Sequence, residues 1–295
     1  MKPFVLLLMT TLASALAASA ADPIRVSSFS TILTEIAQQV GGDRVAVTAH
    51  VKAGVDPHEF EPTPEDLKTV GESQLILLSA KHMEGYVGKL KESTGTKGTL
   101  LEVGNGFASL KMKAESDPGK LVEDPHWWHS IPNMEKAVKI VRDELTKISP
   151  ADKDYFADRA GKYLSTLDAL ETWVKLELAK LPRNKRQLVT SHDAFQYFAK
   201  ENGFTIYPIE GISSADQPSS KKVAEIIATI KKQGVKAIFP EKIENPKVLT
   251  EITRESGAKV GGELYADGLG APDSDAATYV GMYKHNVSAI VNALQ

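Results

Sequence analysis

The polarity pattern along the chain alternates short apolar runs with longer segments of helical spacing. Ile24 to Phe29 (IRVSSF), Val45 to Val51 (VAVTAHV), Leu75 to Ser79 (LILLS) and Thr99 to Val103 (TLLEV) have the length and aliphatic content of strands. A second set follows at Gln187 to Ser191, Thr205 to Ile209, Lys236 to Phe239 and Lys259 to Leu264. Strand and helix alternate in both sets, which predicts an α/β fold with parallel or mostly parallel sheets and helices on their faces. Between the sets, apolar residues recur in steps of three or four at Phe156, Ala160, Tyr163, Leu167, Leu170, Val174, Leu178 and Leu181. Ser149-Pro150 opens this segment and Pro182 closes it. It predicts one helix over Ala151 to Leu181, about 30 residues and roughly 45 Å long. Such a helix is either a long core element or a strut between two lobes, and a strut would tilt or twist rather than hinge freely.

The N-terminus reads as an address. Lys2 precedes a 13-residue apolar run, Phe4 to Leu16, and Ala18-Ser19-Ala20 resembles a cleavage site. The run is too short to span a bilayer, so residues 1–20 are expected to be a signal peptide that is removed. The expected division is then 21–150 for a first α/β lobe, 151–181 for the linking helix and 182–295 for a second lobe. The polar stretch Lys111 to Glu123 reads as a short loop without histidine.

Composition narrows the chemistry. With 295 residues, 42% hydrophobic and 25% charged, the chain is of globular type. A formal charge of −3 argues against a nucleic-acid partner. There is no cysteine, which removes disulfides, thiolate nucleophiles, iron–sulfur clusters and cysteine zinc sites together. It also removes the thiol that a lipid anchor at a processed N-terminus would need. An exported chain without an anchor is expected in an enclosing periplasm, with free secretion as the alternative.

Three of the seven histidines stand in loop-like contexts: His58 in Asp56-Pro-His-Glu-Phe-Glu-Pro-Thr-Pro64, His126 in Asp124-Pro-His-Trp-Trp-His129, and His192 in Ser191-His-Asp-Ala-Phe195. Proline fixes φ and biases its predecessor to extended geometry, so each Asp-Pro-His presents its imidazole from a stiff turn. Asp267, in Leu264-Tyr-Ala-Asp-Gly, follows the last predicted strand. The four are separated by 68, 66 and 75 residues, one to a crossover, and ligands of open α/β sheets bind beyond the carboxyl ends of strands. Three imidazoles and a carboxylate suit zinc, with manganese the alternative. Among the remaining candidates, His129 reads as an alternative ligand, an outer donor to the site or an ordinary loop histidine, and Glu59 as a contact to the metal or its water or a solvated loop acid. His50 reads as structural, His82 as a minor ligand candidate and His285 as a surface side chain. Trp127, Trp128 and Phe195 read as cleft wall, and Glu210 and Glu241 end predicted strands without an assigned role.

The strings Asp56 to Pro64 (DPHEFEPTP), Asp124 to Trp128 (DPHWW), Ser191 to Phe198 (SHDAFQYF), Glu210 to Ser213 (EGIS) and Leu264 to Asp267 (LYAD) resemble the cluster A-I, or ZnuA/TroA-like, solute-binding proteins of ABC transporters. The resemblance implies two α/β lobes bridged by a long rigid helix, with one metal ion between them. It implies His58, His126, His192 and Asp267 as ligands, and delivery to a permease in the inner membrane by a monomer that is not an enzyme. The family carries His or Glu at the third ligand position, and His192 favours Zn(II) over Mn(II). Trp127 and His129 depart from the family's small residue and Leu, and the His-rich loop of many zinc members is missing. The competing classes are a secreted zinc hydrolase, with Glu59 or Asp193 as general base, and a metal-regulated adhesin.

Overall fold

The computed structural model describes residues 22–113, 120–213, 218–241 and 246–295. The expected signal peptide lies outside the described residues.

The chain opens with β1 (Ile24–Ser28), α1 (Thr31–Gly41), β2 (Val45–Ala49), α2 (Pro64–Glu72), β3 (Leu75–Leu78), α3 (Val87–Thr94) and β4 (Thr99–Glu102). Its four strands form a parallel sheet in the order β2-β1-β3-β4. β3 (LILL) is buried at every position, as expected for an inner strand covered on both faces. Serine and threonine start the helices on either side of the first site loop. Ser30 accepts from the amides of Ile32 and Leu33, and Thr63 forms a reciprocal capping box with Asp66 ahead of Pro64.

A hairpin follows, β5 (Lys111–Lys113) with β6 (Leu121–Glu123), paired antiparallel. The stretch read as a polar loop therefore has paired ends, with Met112 turned inward and buried. Next come α4 (Ile131–Ile148) and α5 (Lys153–Leu178), the latter entered through a 3-10 turn at Pro150–Asp152. Phe156, Ala160, Tyr163, Leu167, Leu170, Val174 and Leu178 are the buried stripe of α5, the periodicity visible in the sequence. At about 1.5–3 kcal/mol for each fully buried large aliphatic or aromatic side chain, tertiary packing dominates the stability of this helix.

The second half contains β7 (Gln187–Thr190), α6 (Gln196–Asn202), β8 (Thr205–Pro208), α7 (Ser220–Gln233), β9 (Ala237–Phe239), α8 (Pro246–Ser256), β10 (Lys259–Val260) and α9 (Tyr279–Leu294). Its sheet is also parallel, in the order β10-β9-β7-β8. The last strand is shorter than the sequence predicts. Gly261 and Gly262 interrupt the ladder where a Cβ at Gly261 would lie 2.7 Å from the Phe239 ring, and Leu264 rejoins through a single bridge to Glu241. Helix α5 packs on α1 and α4 from the first half and on α9 from the second, so it joins the lobes. One hydrophobic core runs continuously from Ile32 and Ile36 through Leu167 to Tyr279 and Ile290.

Candidate metal centre

The four donors stand in loops after strands. His58 lies between β2 and α2, His126 after β6, His192 after β7, and Asp267 beyond β10. The two Asp-Pro-His triplets are built by one device. Asp56 Oδ1 accepts from the backbone amide of His58 at 2.8 Å, and Asp124 Oδ1 accepts from that of His126 at 2.9 Å. Each aspartate thus closes a local turn around the intervening proline and aims the histidine two residues on. The turn is therefore the work of the aspartate as well as of the proline, and the aspartate two residues ahead of each histidine is visible in the sequence.

The four side chains converge. Among the described residues they form the one group of histidine and carboxylate donors brought together in this way, with ligand atoms within 4.8 Å of one another. His126 Nε2 lies 3.2 Å from His58 Nε2 and 3.3 Å from His192 Nε2. Asp267 Oδ1 lies 3.6 Å from His58 Nε2 and 3.4 Å from each of the other two. A regular tetrahedron with donors about 2.0–2.1 Å from its centre has edges of about 3.3 Å, so these five edges fit a four-coordinate ion of zinc's bond length. Asp267 Oδ1 is buried without a hydrogen-bond partner. A buried orphan oxygen facing three imidazole nitrogens is expensive unless a cation or protons compensate it.

Further carboxylates orient two of the rings. His126 Nδ1 is 2.9 Å from Asp124 Oδ1, and His192 Nδ1 pairs closely with Glu241 Oε2. Glu241 Oε1 also accepts from the His192 amide at 3.3 Å. With Nδ1–H engaged, each neutral imidazole turns its Nε2 lone pair toward the centre. Without a metal, protons answer the same charges. Burial alone would push His192 down, but the Asp267 and Glu241 carboxylates outweigh it and raise its pKa well above the usual value. Burial likewise opposes the charged form of His126, and Asp124 and Asp267 reverse the sign to raise it. Burial would lift Asp267, but the imidazoles hold its carboxyl well below the usual range.

The other candidates fall outside the donor group. His129 donates through Nε2 to the Ala266 carbonyl at 2.8 Å, and burial, aided by His126, pushes its pKa down to about 3. Its Nε2 carries a proton and is closed to a metal. His50 is held by Asp66 and Ser27, and partly exposed His285 by Asp275 and Glu263. Glu59 and His82 are exposed, the latter in a left-handed stretch at φ +68°. Trp127 and Trp128 are fully buried and do more than line a wall, since their indole N–H groups donate to Ser79 and Ala266 carbonyls. Glu241, which the sequence left without a role, is the partner of His192.

The family model for the ZnuA zinc-uptake complex component A, periplasmic, matches residues 26–293. The chain belongs to the ZnuA family. Among ZnuA-like relatives, the manganese-binding lipoprotein MntA of Halalkalibacterium halodurans is 31% identical over 91% of this chain and 87% of its own length. The zinc-binding protein TroA of Treponema pallidum is 31% identical over 94% of this chain and 91% of its own. A solved structure of the periplasmic zinc-binding TroA superposes with a TM-score of 0.85 at 28% identity, covering 93% of this chain and 99% of that one. The two-sheet architecture with its joining helix is thus the fold of this family.

Proposed function

We propose that the protein captures Zn(II) as cargo, one ion per chain, and hands it to the permease of an ABC importer. His58 and His126 of the first lobe (21–150) and His192 and Asp267 of the second (182–295) are the ligands, with 151–181 as the bridge. The observation that carries the reading is the donor set itself: three Nε2 atoms and one carboxylate oxygen at tetrahedral spacing, with an orphaned Oδ1 among them. The named relatives divide between zinc-binding and manganese-binding proteins. The imidazole-rich set and its four-coordinate spacing favour zinc, since manganese competes best where oxygen donors and higher coordination are on offer. Among the described residues no helix is long and apolar enough to cross a membrane, and the proposed setting is the periplasm, where the protein acts as a monomer.

A hydrolase is the weaker reading. Catalytic zinc keeps one position open for water, whereas four protein donors complete a tetrahedron here. Of the nominated bases, Glu59 is exposed outside the cluster, and Asp193 accepts from Gln196 at 2.6 Å. Titration of chelator-stripped protein with Zn(II), followed by competition with Mn(II), tests the proposal. One tightly held Zn(II) per chain that Mn(II) does not displace is expected; absence of zinc binding, or displacement by equimolar Mn(II), overturns it.

A further inference from the structure

We propose that His129 and Trp128 are positioning residues that set the metal preference of the site, by holding the backbone beside Asp267 so that one carboxylate oxygen meets the three imidazoles. The inference rests on the zinc reading above and assigns a cause to it. The Ala266 carbonyl, one residue before Asp267, accepts two side-chain N–H groups: Trp128 Nε1 at 2.7 Å and His129 Nε2 at 2.8 Å. A carbonyl oxygen has two lone pairs, so both are used, and all three residues are buried. On the other side of Asp267, the Leu269 amide donates to Thr31 Oγ1 at 2.9 Å. Gly268 permits that approach, since a Cβ there would lie 2.6 Å from the same oxygen. The segment carrying Asp267 follows α5 in sequence, yet Trp128, His129 and Thr31 all precede it.

The donors are themselves held. Tyr279 Oη donates to the Trp128 carbonyl at 2.7 Å and Tyr283 Oη to the His129 carbonyl at 3.0 Å. The Tyr279 amide donates to Glu35 Oε2 at 2.6 Å, and Tyr163 of α5 donates to Glu35 Oε1 at 2.8 Å. The turn at Trp127–His129 is therefore clasped from its main chain by α9 and clasps the Asp267 segment with its side chains. His126 and Asp267, ligands 141 positions apart in sequence, share one rigid support. Their separation of 3.4 Å follows from that support and suits a small tetrahedral ion. If Asp267 were free to rotate and offer both oxygens, the site would gain an oxygen donor and suit Mn(II) better.

The test uses the full mature chain and the variants H129L, H129Q and W128F, with Zn(II) and Mn(II) affinities measured by chelator competition and coordination read from the visible spectrum of Co(II)-loaded protein. H129L removes one N–H and is expected to cut the Zn-to-Mn affinity ratio by about 10-fold, the lower end of losses seen when an outer partner of a metal site is removed. Its Co(II) bands should weaken as four-coordination is lost. H129Q keeps a donor and should restore most of the ratio, whereas W128F should mimic H129L. An unchanged ratio in both H129L and W128F, or an equal loss of affinity for both metals, overturns the proposal, the latter because it marks a merely structural role. If H129L fails to fold, W128F carries the same test. Failure of the parent chain to bind Zn(II) is a separate outcome that sinks the zinc reading and this inference with it.

Discussion

Two histidine–carboxylate clusters in this molecule have nearly the same parts and opposite endings. In the first, His50 is bonded at Nδ1 to Asp66 at 2.7 Å and at Nε2 to Ser27 at 2.9 Å, and its ring stacks on Phe29 at 4.6 Å between centroids. In the second, His126 and His192 are bonded at Nδ1 to Asp124 and Glu241, but their Nε2 atoms face each other, His58 and an orphaned carboxylate oxygen. The His50 array has the Ser–His–Asp order of a hydrolytic relay, yet Ser27 is completely buried in a strand and also contacts Ser73 at 2.9 Å. Every polar atom named there has a partner, so the array stabilises the fold. The cleft cluster turns three Nε2 atoms and a carboxylate oxygen without a hydrogen-bond partner toward one point, which is what a cation site requires. Unsatisfied valence, more than residue type, separates a structural histidine from a ligand.

That contrast can be broken most severely at His192. H192A should lower Zn(II) affinity by more than about 100-fold, beyond the range for outer partners, as read by chelator competition. Glu241→Gln keeps the shape but removes the charge behind His192, and should cost about 10- to 100-fold in the same assay. Proton competition comes next. The raised pKa values of His126 and His192 mean that their protons stabilise the metal-free fold fully below about pH 6.5, a contribution lost as pH rises through the raised folded values. Metal must displace those protons, so in the same window above about pH 6.5 zinc affinity should rise by about tenfold per pH unit for each proton displaced. Melting curves with and without Zn(II) between pH 6 and 8 should show the metal-induced shift growing with pH. Asp267, held low, remains ionised throughout this range.

At the other cluster the readouts should exchange. H50A should cost about 1–3 kcal/mol of stability, because it leaves Asp66 Oδ1 without a partner and removes one of the two hydrogen bonds of buried Ser27 Oγ, while zinc affinity stays unchanged. Loss of zinc binding in a folded H50A protein would erase the distinction drawn between the clusters. The smallest effect belongs to His285, whose ring bonds to Asp275 and the Glu263 carbonyl at the surface; H285A should leave the zinc titration unchanged.

The sequence showed what depends on local repetition. The period of α5, the LILL run of β3 and the two Asp-Pro-His turns are all local signals, and the structure has a buried stripe, an inner strand and two matching turns at those places. The spacing of the candidate ligands was legible in part: His58, His192 and Asp267 follow strands of the two parallel sheets, as ligands of open α/β sheets do, whereas His126 follows β6 of the antiparallel hairpin. Long-range pairings were illegible. Glu241 lies 49 residues from His192, and Ala266 lies 137 from His129. No periodicity announces either contact, and so Glu241 had no role and His129 had three open ones. The paired ends of Lys111–Glu123 were hidden because a three-residue strand is too short to show alternation.

The most direct measurement is a crystal structure of the zinc-loaded protein with anomalous scattering recorded on both sides of the zinc edge. A single peak is expected about 2.0–2.1 Å from the Nε2 atoms of His58, His126 and His192 and from Asp267 Oδ1, with four donors and no water on the ion. A peak elsewhere in the molecule, or an ion lacking one of these donors and completed by solvent, would contradict it.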